Sequence, residues 1–276
     1  MTKNILVVGP DGFLAREVLT QLSAGERSRI ILLGRKEMTG RDNYFSDVVT
    51  LKKAVPEVDV VYLLGAYIPY GAFQSGDAAL VKTNIELVAD LSLSYPESRI
   101  VFSSSVSVYG SPLQLPIAVD SPFNNPDLYG MSKLAGEAIV RNHKHFAILR
   151  FSSILGQGMN NLTVIPRMIA AAKAGTIVVW GDGGRLQNYI DVRDAARLCL
   201  LAAQSDKNIV ALGVGAKSYS NAEIAGQIGL LTHATVEFSG TDKSPSFVYQ
   251  VEESYRSLNF APLYSIEQTL NDLIKP

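Results

Sequence analysis

Residues 4–22, "NILVVGPDGFLAREVLTQL", pass from an unbroken apolar run through a glycine-containing turn into an amphipathic stretch with no spacer between them. The run at 5–8 reads as a short buried strand, and the apolar spacing up to Leu22 reads as a helix with one face against a core. A strand that is apolar throughout predicts a sheet covered on both sides. The turn carries glycines at 9 and 12 and an alanine at 15. Gly9 permits a tight turn, Gly12 lets the backbone approach a pyrophosphate, and Ala15 lets the helix pack closely on the sheet. The free amides at the helix start then bind the anion. The bland alternative is a simple glycine turn between strand and helix.

Working outward, a second strand is predicted at 30–33, and further apolar strands at "VDVVYLL" (58–64), "RIVFSSS" (99–105) and "FAILRF" (146–151). Helical spacing fills 77–95 and 129–143. Apolar strands alternating with helices predict an α/β fold, a Rossmann-type doubly wound parallel sheet. After Phe151, "NLTVIPRMIAAAKAG" reads as helix, "TIVVWGDGG" as strand and turn, and "YIDVRDAARLCLLAAQ" as helix. The strand signals "NIVALGV" and "ATVEF" flank a helix at 220–229. The expected organisation is a dinucleotide-binding domain at 1–151, with 188–213 returning to it. A small, discontinuous substrate-binding lobe is expected from 152–187 plus 214–276.

Bulk properties narrow the partners. A formal net charge of −1 over 276 residues offers no basic excess for a nucleic-acid backbone. No apolar run reaches the roughly 18 to 20 residues of a membrane helix. A soluble protein with a small-molecule substrate is expected, with no nucleic acid and no membrane. The one cysteine, Cys199, sits in the apolar run "AARLCLLAA" and reads as a buried small hydrophobe, which fits a reducing, cytoplasmic setting. His143, His145 and His233 have no metal-ligand spacing, so no metal is expected.

Two short stretches carry chemistry. At the end of the second strand, "LLGRK" offers Gly34 and Arg35 where an NAD site usually offers a carboxylate to the adenosine ribose. A guanidinium there pairs with a 2′-phosphate, so NADP is expected over NAD. The stretch "PDLYGMSK" (126–133) sets Tyr129 and Lys133 four residues apart, on one face of a helix.

Taken together, the residues resemble the extended short-chain dehydrogenase/reductase family, the NAD(P)-dependent epimerase/dehydratase group acting mostly on nucleotide sugars. "GPDGFLA" resembles its GxxGxxG turn, "FSDV" its adenine-contacting segment, and "VDVVYLLGA" its strand-four motif. "FSSSVSVYG" resembles its SSxxxVYG strand, and "YGMSK" follows 24 residues after Ser105. "ILRFSSILG", "GDGGRLQNYIDVRDAA" and "SLNFAPLYSIEQTL" are similar to later segments of the family, in the same order. The resemblance implies a catalytic triad of Ser105, Tyr129 and Lys133. It implies cofactor contacts at Gly9, Asp11, Gly12, Phe13, Leu14, Arg35, Asp47, Val48, Leu64, Gly65, Ala66, Ser103, Tyr129 and Lys133. Substrate contacts are implied at Ser105, Ser107, Tyr129, Asn161 and Gln187, and the partner is a nucleotide sugar. A homodimer is implied through helices 77–95 and 129–143. The chain departs from the family at Ser153, where asparagine is frequent, and at Gln187, where an arginine often grips the pyrophosphate. Arg185 and Arg193 are candidates to supply that charge.

Hydride transfer at a carbon bearing oxygen needs a proton moved on that oxygen. A free phenol has a pKa of about 10. A cation about 4 Å away at an effective dielectric of about 20 contributes at most roughly 4 kcal/mol, or about 3 pKa units. Lys133 would thus bring Tyr129 toward neutrality, while Ser105 holds the substrate oxygen. The Asp-Glu pair that follows the serine in the family's dehydratases is replaced by Val106 and Ser107, which argues against dehydration. The leading expectation is NADPH-dependent reduction of a keto sugar, a nucleotide-linked 4-keto-6-deoxyhexose. A nucleotide-sugar 4-epimerase with tightly held NAD is the alternative. A non-catalytic NADP-binding regulator and a reductase of a non-sugar carbonyl also stand. The loops at 66–76, 110–125 and 156–165 are expected to select the substrate.

Overall fold

The computed structural model describes residues 2–23, 28–35, 43–69, 74 and 77–275. The chain begins β1 (Asn4–Val8), α1 (Phe13–Ser23), β2 (Arg29–Leu33), β3 (Tyr44–Phe45), α2 (Val48–Ala54) and β4 (Val60–Leu63). Next, α3 (Ala78–Val81) runs through a π-helical turn at Lys82–Glu86 into α4 (Leu87–Ser94), followed by β5 (Arg99–Ser105), α5 (Leu128–Arg141) and β6 (His145–Phe151). Then come β7 (Ser153–Leu155), α6 (Val164–Lys173), β8 (Thr176–Trp180), β9 (Leu186–Asp191), α7 (Val192–Gln204) and β10 (Ile209–Gly213). The chain closes with β11 (Ser218–Ser220), α8 (Asn221–Thr232), β12 (Thr235–Ser239), α9 (Glu252–Ser257) and α10 (Ile266–Ile274).

Among the described residues, seven strands form one sheet in the order β10-β6-β5-β4-β1-β2-β3, and every pair in it is parallel. Parallel strands need crossovers, and these cover both faces. On one face, α1 and α7 bury Val18, Leu198 and Cys199 against β1, β5 and β6. On the other, Leu51, Leu91 and Val140 pack under α2, α4 and α5. The strand order reverses between β1 and β4, so the crevice at their carboxyl ends is the topological switch point where ligands of such sheets bind. Two smaller sheets, β11-β9-β7 and β12-β8, lie outside the main one. Ile165, Ile177, Ile224 and Leu270 build a separate apolar cluster there.

The structure alters several local readings. Helix 77–95 contains the π-helical turn, which widens the spacing around Thr83 and Leu87. Tyr189–Asp191 belongs to β9 and not to the helix that follows. Asp191 is extended, and its carboxylate accepts from the Arg193 amide, so it caps α7 and ends the strand. The strands β3, β7, β9 and β11 and helices α2, α9 and α10 add to those predicted. The first four are short or polar and give no long apolar run to read. Among the described residues no helix is long and apolar enough to cross a membrane.

Candidate active site

The turn after β1 is shaped by close backbone approach. Gly9 has φ +74, and a Cβ on it would lie 2.7 Å from the Gly65 Cα. Gly12 donates to the Gly9 carbonyl at 2.9 Å, and Gly65 donates to the Val8 carbonyl at 3.0 Å. The two glycines therefore bring the ends of β1 and β4 into contact below the start of α1. That helix carries no acidic residue in its first turn, so its amide-rich end keeps its positive character for an anion. A cleft of about 670 Å³ runs from here past Arg35 and Asp47 at one end to Ser105 and Tyr129 at the other. Every cofactor candidate named above lines it except Lys133.

Lys133 lies beneath the cleft. It is 1% exposed, and its Nζ has no hydrogen-bond partner among the described residues. The ammonium stands 4.2 Å from the Phe102 ring centroid. Loss of hydration brings its pKa from 10.5 down to about 7, a fall that the nearby Glu137 carboxylate opposes. A buried donor lacking an acceptor is costly, and such groups mark functional sites. The hydroxyls of a dinucleotide are acceptors of the needed kind, so the Gly9–Gly65 cradle and this orphaned nitrogen both fit the cofactor that the sequence implies.

Helix α5 is held so that Tyr129 faces the cleft. Asp127 Oδ1 accepts from the Gly130 amide at 2.7 Å and caps the helix. Any Cβ at Gly130 would collide with the Ser107 carbonyl, so glycine is what lets this turn approach the end of β5. Ser132 Oγ donates to the Tyr129 carbonyl at 2.7 Å and accepts from Asn84 Nδ2 at 2.9 Å. Asn84 also exchanges bonds with the Tyr67 backbone. It ties the π-helical turn, the segment after β4 and α5 together. Ser105 Oγ donates to Ser107 Oγ and accepts from the Ser107 amide, each at 3.1 Å.

A buried ion pair braces the same elements. Arg150 on β6 gives Nε to Glu137 Oε1 at 2.9 Å and Nη2 to Oε2 at 2.7 Å. Ser104 Oγ donates to Glu137 at 2.6 Å, and Arg150 Nη1 donates to the Tyr109 hydroxyl at 2.8 Å. Ser104 on β5, next to Ser105, Glu137 on α5, one turn on from Lys133, and Arg150 on β6 are thereby tied together.

A second cavity of about 370 Å³ adjoins the cleft, and Ser152 lines both. Ser107 and Gln187, two substrate candidates, line it, whereas Ser105 and Tyr129 line the cofactor cleft beside it. Asn161 is exposed and lines neither. Arg193 is committed elsewhere, bridging Asp191 at 2.7 Å and Asp272 at 2.9 Å and stacking on Tyr264, which removes it as a source of charge for a substrate. Part of the loop 66–76 lies outside the described residues. Residues that sequence reasoning missed include Thr83, Leu87 and Ile154 in the cleft and Asn125, Asp127, Phe247 and Tyr249 in the cavity. The signal in "PDLYG", an N-cap aspartate two residues before the candidate tyrosine, was available for Asp127.

The fold and site define a Rossmann-type enzyme of the extended short-chain dehydrogenase/reductase class. The NAD dependent epimerase/dehydratase family matches residues 5–214, and the chain belongs to that family. A UDP-glucose 4-epimerase of Bacillus subtilis is 27% identical over 237 residues, 70% of each chain. A dTDP-4-dehydro-6-deoxy-D-allose reductase from a Streptomyces species is 26% identical over 232 residues, 77% of this chain and 69% of the relative. Among solved structures, the UDP-glucuronic acid 4-epimerase of Bacillus cereus in complex with NAD has the same fold. Its TM-score is 0.80 at 20% identity, covering 98% of this chain and 96% of that one.

Proposed function

We propose that this protein reduces the ketone of a sugar substrate with NADPH. The observation that carries the choice of cofactor is Arg35. A Cβ at Gly34 would collide with the Tyr44 hydroxyl, so the first side chain available after β2 is that of Arg35, and it lines the cofactor cleft. A guanidinium suits a 2′-phosphate, and the Asp47 carboxylate at the same end of the cleft accepts from the Thr50 amide as the N-cap of α2.

A bound nicotinamide supplies the hydride. Tyr129 gives its phenolic proton to the carbonyl oxygen, and Ser105 Oγ donates to the same oxygen after leaving Ser107. Lys133 would be held in its charged form by acceptor oxygens of a dinucleotide once one is bound. Cofactor binding and the tuning of Tyr129 are thereby coupled through one buried nitrogen. Val106 and Ser107 supply no acid and base for elimination, which supports reduction over dehydration. The Streptomyces relative, a reductase of a dTDP-linked 4-dehydro-6-deoxy sugar by name, offers a nucleotide-linked 4-keto-6-deoxyhexose as candidate substrate and deoxysugar biosynthesis as the role. The second reading is a nucleotide-sugar 4-epimerase that retains NAD, favoured by the B. subtilis relative and by the NAD in the B. cereus structure.

The same reading assigns 1–151, with 188–213 returning to it, to cofactor binding, and 152–187 plus 214–276 to a small substrate-binding lobe. It places the protein in the cytoplasm, with its NADPH pool, as a homodimer through the 77–95 helix and α5. The exposed Val81, Leu93 and Met131 support that pairing.

Equilibrium titration of NADPH and NADH tests the cofactor. NADPH is expected to bind at least about tenfold tighter, a preference that Arg35→Glu abolishes. Equal affinities, or NAD that copurifies with a protein unable to oxidise NADPH, would favour the epimerase.

A further inference from the structure

The cavity beside the cleft has a definite charge character. Among its described lining residues Asp127 alone carries a charge, and that charge is negative. Hydroxyls of Ser107, Ser111 and Ser153 and the rings of Phe247 and Tyr249 make up much of the rest. Its amides are largely spent on the wall. Asn188 donates to the Gly215 and Lys217 carbonyls at 3.0 and 3.1 Å and accepts from Ser152 Oγ and the Gly215 amide, both at 2.8 Å. Gln187 Nε2 donates to Asn221 at 2.8 Å.

The two arginines that the sequence offers to a diphosphate do not line this cavity. Arg193 is held by its two aspartates. Arg185 gives its Nε to the Pro245 carbonyl at 3.1 Å, and its charge acts on Asp242. A diphosphate surrenders hydration on entering such a site and needs cations or several aimed N–H donors in return. A neutral polyol needs hydroxyl partners and a ring to lie on, and the cavity offers both.

We infer that the substrate cavity takes an uncharged keto sugar or similar polyhydroxy ketone that carries no nucleoside diphosphate. This rests on the reading of the site as a ketone reductase and narrows its substrate away from the nucleotide-linked form.

The test is calorimetric titration of UDP and of dTDP into NADP-saturated protein, so that neither enters the cofactor cleft. The parent is expected to give no saturable binding up to about millimolar nucleotide, and Gln187→Arg, which adds a guanidinium to the cavity, to bind UDP at least about tenfold tighter than the parent. Micromolar binding of UDP or dTDP by the parent would overturn the inference. NADPH oxidation with an uncharged keto sugar and with its nucleotide-linked counterpart separates the two claims. Turnover of the uncharged ketone supports both, and turnover confined to the nucleotide-linked ketone overturns the inference alone. Failure with every ketone strikes at the reductase reading, while the nucleotide titration still decides the inference.

Discussion

Replacing Lys133 with methionine should make the cofactor-free protein more stable while disabling it. The side chain is buried to 1% exposure, its Nζ lacks a hydrogen-bond partner among the described residues, and burial brings its pKa from 10.5 down to about 7. That difference, at 1.36 kcal/mol per pH unit, sets an upper bound of roughly 5 kcal/mol on the cost of burying the charge. Loss of the cation–π contact with Phe102 takes back about 1 kcal/mol. A net gain of about 2 to 4 kcal/mol is expected near pH 6, where the lysine is charged in both folded and unfolded chains. Between about pH 7 and 10.5 the unfolded chain holds the proton and the folded chain does not, so the stability of the parent rises with pH and the advantage of methionine shrinks. Urea denaturation of cofactor-stripped parent and Lys133→Met, at about pH 6 and about pH 9, measures the difference. A methionine variant less stable than the parent near pH 6, or an advantage that grows with pH, would refute the reasoning.

Tyr129→Phe should lower kcat by roughly 10² to 10⁴-fold while leaving cofactor affinity unchanged; full activity in steady-state assays would remove its role as proton donor. Glu137→Gln leaves Arg150 buried beside an uncharged partner and should cost about 3 to 5 kcal/mol, read as a lower urea midpoint. Little change would mean that the Tyr109 hydroxyl and the Val119 carbonyl, which accept from Arg150 Nη1 at 2.8 and 2.7 Å, suffice to hold Arg150. In light scattering a dimer is expected that Leu93→Asp dissociates, and a monomer at all concentrations would defeat the helix-pairing proposal.

The elements lining the cleft at the carboxyl end of the sheet were the most legible, because their chemistry is local. A glycine that must adopt positive φ, a helix that must start on free amides, and strands with no polar face each write their requirement into a few neighbouring residues. Gly9 and Gly12 were readable on that basis, whereas Ser105 and Tyr129 were named through the family resemblance and Arg35 through its place after the second strand. Asn84 was not, since its importance lies in joining Tyr67 to Ser132, 48 residues apart from it in sequence. The π-helical turn at Lys82–Glu86 was also invisible, because a helix with one widened turn keeps nearly the same apolar spacing.

By itself, the sequence determined the parallel α/β architecture, a product of short-range sterics and periodicity, and the family, through the order of its motifs. Only the tertiary structure decided the electrostatics. Whether a lysine is a solvated cation or a buried amine without an acceptor depends on Phe102 and Glu137 closing around it. Likewise, Arg193 is withdrawn from any substrate by Asp272, 79 positions along the chain. Charge energies depend on burial and on distant partners, and both are set only when the chain has folded.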